Sequence, residues 1–292
     1  TVVLGFFVEA FKPANNSAIA FYSSPENLTR SYALNRLATN LGFGFGTSVG
    51  GVLAAINYNL LFWVDGVVYA LAGILILLLL PEGKLRVATT TEGEPSSLAR
   101  SPWTDPFFLR FIVMVTLYMT AFIMIFRILP VFWKEQMHIG EATIGVLMAM
   151  NGIVIAVFEM VFIQALRNRH SDYHYIIAGV LCTVFAFLFL LIPGLPALIA
   201  GILAVLSFTI GEMLTLPYIS TIVISRASEQ SRGKYSAVYS LSWAVAQVVG
   251  PASGGFIAAK WGYDALWVSL IFLCLLSASG FRHLYRKRLS IA

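Results

Sequence analysis

The sequence predicts an all-α protein whose helices span a lipid bilayer. Of its 292 residues, 59% are hydrophobic and only 11% are charged, and the mean hydropathy is +0.82. A soluble domain is roughly half apolar and about a quarter charged, so this chain has too few charges to cover a surface in water. The bilayer must therefore be the solvent for most of the chain, and the segments that cross it must be helical.

Nine apolar runs are close to the length of about 20 residues that crosses the hydrocarbon core as a helix. Turn-forming sequences such as Ser23-Ser24-Pro25 and Pro81-Glu82-Gly83 separate them. We predict spans at 1–22, 36–55, 60–80, 108–131, 142–166, 175–192, 197–224, 236–258 and 263–281.

The longest interval between spans, 81–107, is rich in Thr, Glu, Ser and Pro. Such a composition favours a flexible linker. The chain therefore divides into a partial N-terminal helical half at 1–80 with three spans, a cytoplasmic linker at 81–107, and a C-terminal six-helix half at 108–292.

Lysine and arginine residues alternate between the two sides of the predicted spans. If the first span ends in the cytoplasm, fifteen of the 19 lie on the cytoplasmic side, Lys134 and Lys260 lie outside, and Lys12 and Arg127 lie within spans. Because basic residues concentrate in cytoplasmic loops, this predicts a cytoplasmic C-terminus. Their placement in short gaps between apolar runs also argues against a nucleic-acid partner, despite the net charge of +5.

An internal repeat relates two regions of the chain at an offset of 204 residues, without gaps. The shared unit is a helix, a cytoplasmic loop, a glycine-rich helix and the start of another helix, in the same orientation. The matched pairs are Pro13 with Pro217, Ala33 with Ala237, Leu37 with Leu241, Gly46 with Gly250, Gly50 with Gly254, Gly51 with Gly255, Ala54 with Ala258, Ala55 with Ala259, and Trp63 with Trp267.

Parallel repeats about an axis along the membrane normal are typical of one class of secondary transporter. Receptors and most membrane enzymes lack such a duplication. If the two halves match in full, we expect the chain to be N-terminally truncated, with three helices preceding its first residue.

Glycines in both copies of the repeat are spaced by four, which lets helix backbones approach closely in lipid. The first copy has Gly42, Gly46, Gly50 and Gly51. The second has Ala246 followed by Gly250-Pro251-Ala252-Ser253-Gly254-Gly255. The second copy resembles the Gly-x-x-x-Gly-Pro-x-x-Gly-Gly signature of the major facilitator superfamily, which marks the fifth helix in the family's drug–proton antiporters. The first copy has every glycine of that signature, but Thr47 stands where the family has proline.

The resemblance covers essentially the whole chain, as helices four to twelve of twelve. The loops that contain Arg30 and Arg232-Gly233-Lys234-Tyr235 are similar to the family's basic loops before helices five and eleven. The resemblance implies a membrane helical bundle of the major facilitator type, most similar to bacterial multidrug-efflux members. A monomer in the bacterial inner membrane would then export small lipophilic compounds by alternating access, coupled to protons.

Two other interpretations stay open. One is a nutrient or peptide symporter of the same fold. The other comes from a different class, a multi-pass membrane enzyme or a receptor.

Six ionisable residues lie inside predicted spans or near their ends, where a charge costs about 2.5 kcal/mol or more and is by default a functional candidate. Glu212 lies in mid-span between Gly211 and Pro217, which can loosen a helix near a binding site. Burial disfavours an ionised carboxylate, so Glu212 could load and release protons near neutral pH. The other five are Glu9, Lys12, Asp65, Arg127 and Glu159.

Each of these residues also has a structural interpretation. Glu9 and Lys12 are i, i+3 neighbours that can neutralise each other. Glu159 and Arg127 lie towards the ends of their spans and can extend their charges to the interface, as can Asp65. By the family resemblance, Glu9, Lys12, Arg127 and Glu212 lie on helices that line the central cavity.

Neither a catalytic site nor a cofactor site is predicted. Cys182 and Cys274 lie in apolar runs, which favours buried packing. The four histidines have no metal-ligand spacing, and the sequence has no phosphate-binding glycine loop. We therefore expect a protein that is not an enzyme and that binds neither a metal nor a cofactor.

Overall fold

The structure is a computed structural model that describes residues 15, 18, 19, 22, 28–79, 101–166, 169–227 and 231–289. Glu9 and Lys12, nearly all of the predicted span at 1–22, and residues 81–100 of the predicted linker lie outside these residues. The described helices are α1 (Leu28–Ile56), α2 (Tyr58–Leu79), α3 (Pro106–Arg127), α4 (Leu129–Glu135), α5 (Glu141–Leu166), α6 (Asp172–Leu190), α7 (Ala197–Arg226) and α8 (Arg232–Leu289).

The predicted fold class, an all-α membrane bundle, is confirmed. The described residues contain seven helical segments that are long and apolar enough to cross a membrane, and the last of them covers Gly233–Lys287. This last segment lies in α8, which is interrupted at Gly262. The backbone φ of Gly262 is 86°, a conformation that glycine adopts without the steric cost of a Cβ atom. The two arms of α8 therefore correspond to two spans, and eight of the nine predicted spans have helical counterparts.

The internal repeat is visible in the helix bounds. Helix α1 begins at Leu28, and the break that follows it falls at Asn57. At the offset of 204, these positions correspond to Arg232, where α8 begins, and to Trp261, next to the break at Gly262. The matched residues therefore form the same unit twice, a glycine-rich helix followed at once by a second helix.

Three pairs of helices form the main contacts of the bundle. Helix α3 packs against α8, α6 against α7, and α1 against α5, and α5 also contacts α7. The buried core lies among α3 to α8 and includes Trp133, Phe187 and Trp267. Helix α2, in contrast, has no buried residue among those described. An apolar helix that is exposed all round is suited to contact lipid.

The division into two halves joined by a linker stays a prediction. Of the predicted linker, the structure describes 101–107, which contain a 3-10 turn at Pro102–Thr104 and the start of α3. Helices α1 and α2 precede this segment, and α3 to α8 follow it.

Candidate functional site

A cavity of about 580 Å³ lies where α1, α3, α5, α7 and α8 meet. It draws residues from both sides of the predicted linker. The described lining residues are Thr39, Asn40, Phe43, Phe122, Ile123, Phe126, Arg127, Asn151, Glu212, Leu216, Trp243 and Gln247.

One wall of this cavity is polar and has Glu212 at its centre. Nδ2 of Asn151 on α5 donates a hydrogen bond to Oε2 of Glu212 on α7, at 3.0 Å. The same nitrogen donates to Oγ1 of Thr209, also at 3.0 Å. Because Thr209 lies one turn before Glu212 on α7, Asn151 is bonded to two successive turns of the neighbouring helix.

Aromatic side chains form a second part of the lining, with Phe43, Phe122, Phe126 and Trp243. Phe122 lies at the centre of this cluster, with ring centroids 5.3 Å from Phe126, 5.0 Å from Phe208 and 5.6 Å from Trp243. Phe43 of α1 extends the cluster by an edge-to-face contact with Phe126 at 5.4 Å. Aromatic pairs at these separations pack favourably. The described lining therefore combines an apolar aromatic surface with one carboxylate, Glu212, and one cationic side chain, Arg127.

The structure brings some of the predicted site residues together and separates others. Glu212 and Arg127 both line the cavity. Glu159 is buried on α5, eight residues beyond Asn151, and is not among the described lining residues. Glu9 and Lys12 lie outside the described residues. The roles of these five charged residues in proton coupling or in the cavity stay predictions.

The predicted glycine motif occupies two different environments. In α8, an added Cβ atom at Gly250 or Gly254 would lie 2.8 or 2.7 Å from the side chain of Met124 on α3. Both glycines are buried, whereas Pro251 is partly buried and Gly255 is exposed. In α1, Gly42 and Gly46 have no described atom within 4 Å of such a Cβ, and Gly50 would meet only Leu61.

Helix α1 instead approaches α5 through two glycine pairs. An added Cβ at Gly51 would lie 2.8 Å from Cα of Gly145, and one at Gly152 would lie 2.9 Å from the backbone nitrogen of Gly44. The two pairs are seven residues apart on each helix, in antiparallel order. Small residues at such a crossing let two backbones touch. This contact joins the part of the chain before the predicted linker to the part after it.

A buried ion pair lies at the end of the bundle where α3 begins. The Asp105 carboxylate accepts bonds from Nε and Nη2 of Arg226, at 2.6 and 2.9 Å. It also accepts from the hydroxyl of Tyr235 at 3.2 Å and the backbone N–H of Phe108 at 3.1 Å. Burial by itself raises the pKa of Asp105, but the bonds from Arg226 and Phe108 and the guanidinium charge outweigh it and lower the pKa below its usual value. The cluster fixes the starts of α3 and α8 to the end of α7.

A second, more exposed polar group joins helices at the opposite end of the bundle. Nζ of Lys134 lies 2.7 Å from Oε1 of Glu141 and donates to the hydroxyl of Tyr58 at 2.8 Å. Nearby, the hydroxyl of Tyr263 donates to Glu135 at 2.8 Å. Water and salt screen exposed pairs of this kind. The contacts nevertheless connect α2 to α4 and α5.

Sequence reasoning missed Asn151, because it searched the spans for charges only. An amide in mid-span between Met150 and Gly152 is a signal of the same kind, since every polar group at bilayer depth needs a partner. It also missed Gly145 and Gly152, which lie seven residues apart on α5. Among the described residues, no three His, Cys, Asp or Glu side chains are grouped as a metal site would require.

Comparison with known proteins gives matches to membrane transporters. A profile of the Major Facilitator Superfamily matches residues 1–251. The uncharacterized MFS-type transporter YttB of Bacillus subtilis (strain 168) is 24% identical over 99% of this chain and 72% of its own length. A Na(+), Li(+), K(+)/H(+) antiporter of Planococcus maritimus is 24% identical over 63% of this chain and 46% of its own length. The uncharacterized MFS-type transporter YqjV of Bacillus subtilis (strain 168) is 22% identical over 86% of this chain and 61% of its own length.

Proposed function

Because this chain belongs to the major facilitator superfamily, a family of secondary membrane transporters, we propose that it exports small lipophilic compounds in exchange for protons. The coarser statement, a multi-pass membrane protein with a transport function rather than an enzymatic one, follows from the family and from the apolar helices. What we propose beyond this is that the substrates are lipophilic, that they are transported outwards and that their transport is coupled to protons.

The position of Glu212 in the aromatic cavity carries this proposal. A carboxylate among aromatic side chains can attract a lipophilic cation by its charge, while the rings bind the apolar part of the molecule. The same carboxylate can bind a proton instead, since a low-polarity site favours its neutral form. Substrate and proton would then compete for Glu212, which is the condition that an exchanger needs.

Alternating access is supported by the helices that surround the cavity. Thr39, Asn40 and Phe43 come from α1, before the predicted linker, and the remaining lining residues come from helices after it. Rocking of the two parts about a fixed central site would open the cavity to one side at a time. The antiparallel glycine contact of α1 with α5 is a place where such a motion could be guided.

We also propose how the helices are numbered and where the protein lies in the cell. The helices would be numbers four to twelve of a twelve-helix transporter, in two halves joined by the cytoplasmic linker at 81–107. The protein would be a monomer in the bacterial inner membrane, with protons, a small-molecule substrate and lipid as its partners. Its C-terminus would lie in the cytoplasm, on the side of the Asp105–Arg226 pair, as the distribution of basic residues predicts.

The test is transport by the full-length protein in proteoliposomes with an imposed pH gradient. Efflux of a fluorescent lipophilic cation and the internal pH are followed together for the wild type, Glu212→Gln and Glu135→Gln. Glu135 is an exposed carboxylate on α4, away from the cavity, so its variant is the matched control. We expect gradient-driven efflux with counter-movement of protons in the wild type and in Glu135→Gln. In Glu212→Gln, which cannot exchange a proton, efflux should fall at least about tenfold.

Two outcomes would contradict parts of this proposal. If efflux and coupling are intact in Glu212→Gln, the coupling role passes to Glu9 or Glu159. If no lipophilic cation moves under any gradient, drug export is wrong, and a nutrient or peptide symporter of the same fold becomes the better interpretation.

The antiporter from Planococcus maritimus favours a second candidate function, exchange of a monovalent metal cation for protons. The carboxylate of Glu212 and the hydroxyl of Thr209 supply oxygen atoms one helical turn apart on α7, and oxygen ligands suit hard cations. The same vesicles distinguish the two candidates when Na⁺ or K⁺ replaces the lipophilic cation. Proton movement that depends on Na⁺ or K⁺ alone would favour the cation exchanger.

A further inference from the structure

Asn151 connects the carboxylate of Glu212 to helix α5. It is only 4% exposed, and its Nδ2 donates to Glu212 and to Thr209 at 3.0 Å each. The hydroxyl of Thr209 donates to the backbone carbonyl of Val205 at 2.7 Å. This bond directs the hydroxyl proton away from Asn151, so the oxygen is oriented to accept. The amide is thus held in one orientation, with an N–H directed at the carboxylate.

We propose that Asn151 is a positioning residue for the binding and release of a proton by Glu212. Its N–H stabilises the ionised carboxylate, so the charge of Glu212 and the position of α5 depend on each other. The inference rests on the proposed function, since it takes Glu212 as the group that binds the proton.

The chemistry of the bond makes it sensitive to the proton. An amide N–H that donates to a carboxylate stabilises the charged form relative to the neutral acid. Hydrogen bonds to an ionised acceptor are roughly twice as strong as those between neutral groups. When Glu212 binds a proton, its bond from Asn151 therefore weakens, and so does the polar link between α5 and α7.

Helix α5 can carry this change to the neighbouring helix α1. Gly152 follows Asn151 directly, and an added Cβ there would lie 2.6 Å from the backbone oxygen of Asn40. The two backbones are therefore in contact, with no side chain between them to absorb a small displacement. Asn40 also lines the cavity. A change in the bond between Asn151 and Glu212 thus arises one residue away from the α1–α5 crossing.

Other groups around Glu212 bear on its charge. Helix α3 contributes Arg127 on the cavity wall and Tyr118, whose hydroxyl is close enough to interact with the charge of Glu212. Helix α5 carries Glu159, two turns from Asn151. Among the described residues that line the cavity, those from α1 and α8 are uncharged: Thr39, Asn40, Phe43, Trp243 and Gln247. The side chain of Asn151 can be removed while all of these stay in place.

The test is the pH dependence of exchange of the fluorescent lipophilic cation by the full-length protein, with equal pH on both sides of the vesicle. The wild type is compared with Asn151→Leu, Thr209→Val and Glu212→Gln. Gln164→Leu is the matched control, since Gln164 is an exposed amide on the same helix. Loss of the donor destabilises the charged carboxylate, so Asn151→Leu should shift the profile to higher pH by about one unit. Thr209→Val should shift it in the same direction by less, Gln164→Leu should match the wild type, and Glu212→Gln should be independent of pH.

The possible failures can be told apart. If wild-type exchange responds to pH through Glu212 but the Asn151→Leu profile coincides with that of the wild type, this inference is wrong and the proposed function stands. If wild-type exchange depends neither on pH nor on Glu212, the proposed function fails, and this inference fails with it. If Asn151→Leu does not fold, Thr209→Val decides the matter, and an unshifted Thr209→Val profile overturns the inference.

Discussion

Helix α1 and the first arm of α8 are copies of one glycine-rich unit, yet they use different faces for their close contacts. In α8, Gly250 and Gly254 pack against Met124 of α3. In α1, Gly44 and Gly51 pack against the backbone of α5.

The offset of 204 makes the comparison direct. The second-copy counterparts of Gly44 and Gly51 are Val248 and Gly255, and both are exposed. The first-copy counterparts of Gly250 and Gly254 are Gly46 and Gly50, which make no close backbone contact within the described residues. A shared motif therefore makes close approach possible on more than one face, and the neighbouring helix decides which face is used.

The two contacts should also differ in how much change they tolerate. A methionine side chain has three rotatable bonds and adapts to small changes in shape. A backbone in contact with another backbone can yield only if the helices separate. The α1–α5 contact should therefore be much more sensitive to an added methyl group than the α8–α3 contact.

The largest expected effect is that of Gly145→Ala on α5. Its Cβ would lie 2.6 Å from the backbone oxygen of Thr47 and 2.9 Å from Cα of Gly51, so α1 and α5 must move apart. We expect a loss of about 3 kcal/mol in the free energy of unfolding, at the upper end of overpacking costs, together with loss of transport. Thermal unfolding of the purified protein in detergent and efflux in vesicles measure the two effects.

Gly73→Ala on α2 is the matched control for this substitution, because no described atom lies within 4 Å of the added carbon. A melting temperature for Gly145→Ala equal to that of the control would show that the two helices do not touch as described.

An intermediate effect is expected for Asp105→Asn, which tests the ion pair of Asp105 with Arg226 at the start of the second copy. The first copy has Tyr22 and Ser31 at the positions that correspond to Arg226 and Tyr235. The residues that bind Asp105 are therefore not repeated in the first copy. The substitution leaves the Arg226 charge without its partner. Because the Arg226 side chain is 33% exposed, we expect a cost of about 2 kcal/mol, below the range for a fully buried pair.

The pH dependence of stability separates this ion pair from simple packing. The pKa of Asp105 is lowered in the folded state, so its contribution is present at neutral pH and is lost as the pH falls through the lowered value. Melting temperatures across an acid series should fall more steeply for the wild type than for Asp105→Asn. Asp264→Asn, at an exposed position of α8, should follow the wild-type curve, and identical curves for all three proteins would refute the role of the pair.

The smallest effect is expected for Gly250→Ala. Its Cβ would lie 2.8 Å from Cε of Met124, the flexible end of a side chain, and 3.3 Å from the backbone oxygen of Thr120, which requires a shift of only a few tenths of an ångström. Alanine also favours a helix over glycine by about 1 kcal/mol, which offsets the rearrangement. The free energy of unfolding, measured by the same thermal assay, should change by less than about 1 kcal/mol.

Gly255→Ala serves as the reference for that measurement, because it adds a methyl group to the same helix at an exposed position. If Gly250→Ala costs as much as Gly145→Ala, the difference proposed between the two copies is wrong.

Much of the fold was predictable because hydropathy is a local property. Each span is an apolar stretch that must satisfy its own backbone hydrogen bonds in lipid, and neighbours along the chain suffice to reveal it. The breaks at Asn57 and Gly262 lie in the short intervals between predicted spans for the same reason. Helix α4 was not predicted as a separate element, since Leu129-Pro130 ends a helix and starts the next within one apolar run.

The candidate site was predictable only in part. A charge in mid-span is conspicuous, so Glu212 and Arg127 could be named from the sequence. Asn151 is uncharged and lies sixty-one residues from Glu212, so the spacing along the chain contained no indication that the two side chains meet. The carboxylate of Asp105 lies even further from its partner Arg226, at a separation of 121 residues.

The sequence by itself determined that this protein is embedded in a bilayer. It also determined roughly where the helices begin and end, and which residues are repeated. Only the tertiary structure decided which glycine face packs, which amide meets Glu212, and which aromatic rings surround it. The physical reason is that crossing a membrane is a property of each helix alone, whereas a close contact depends on the rotation and crossing angle of two helices. Those quantities are set by the whole bundle.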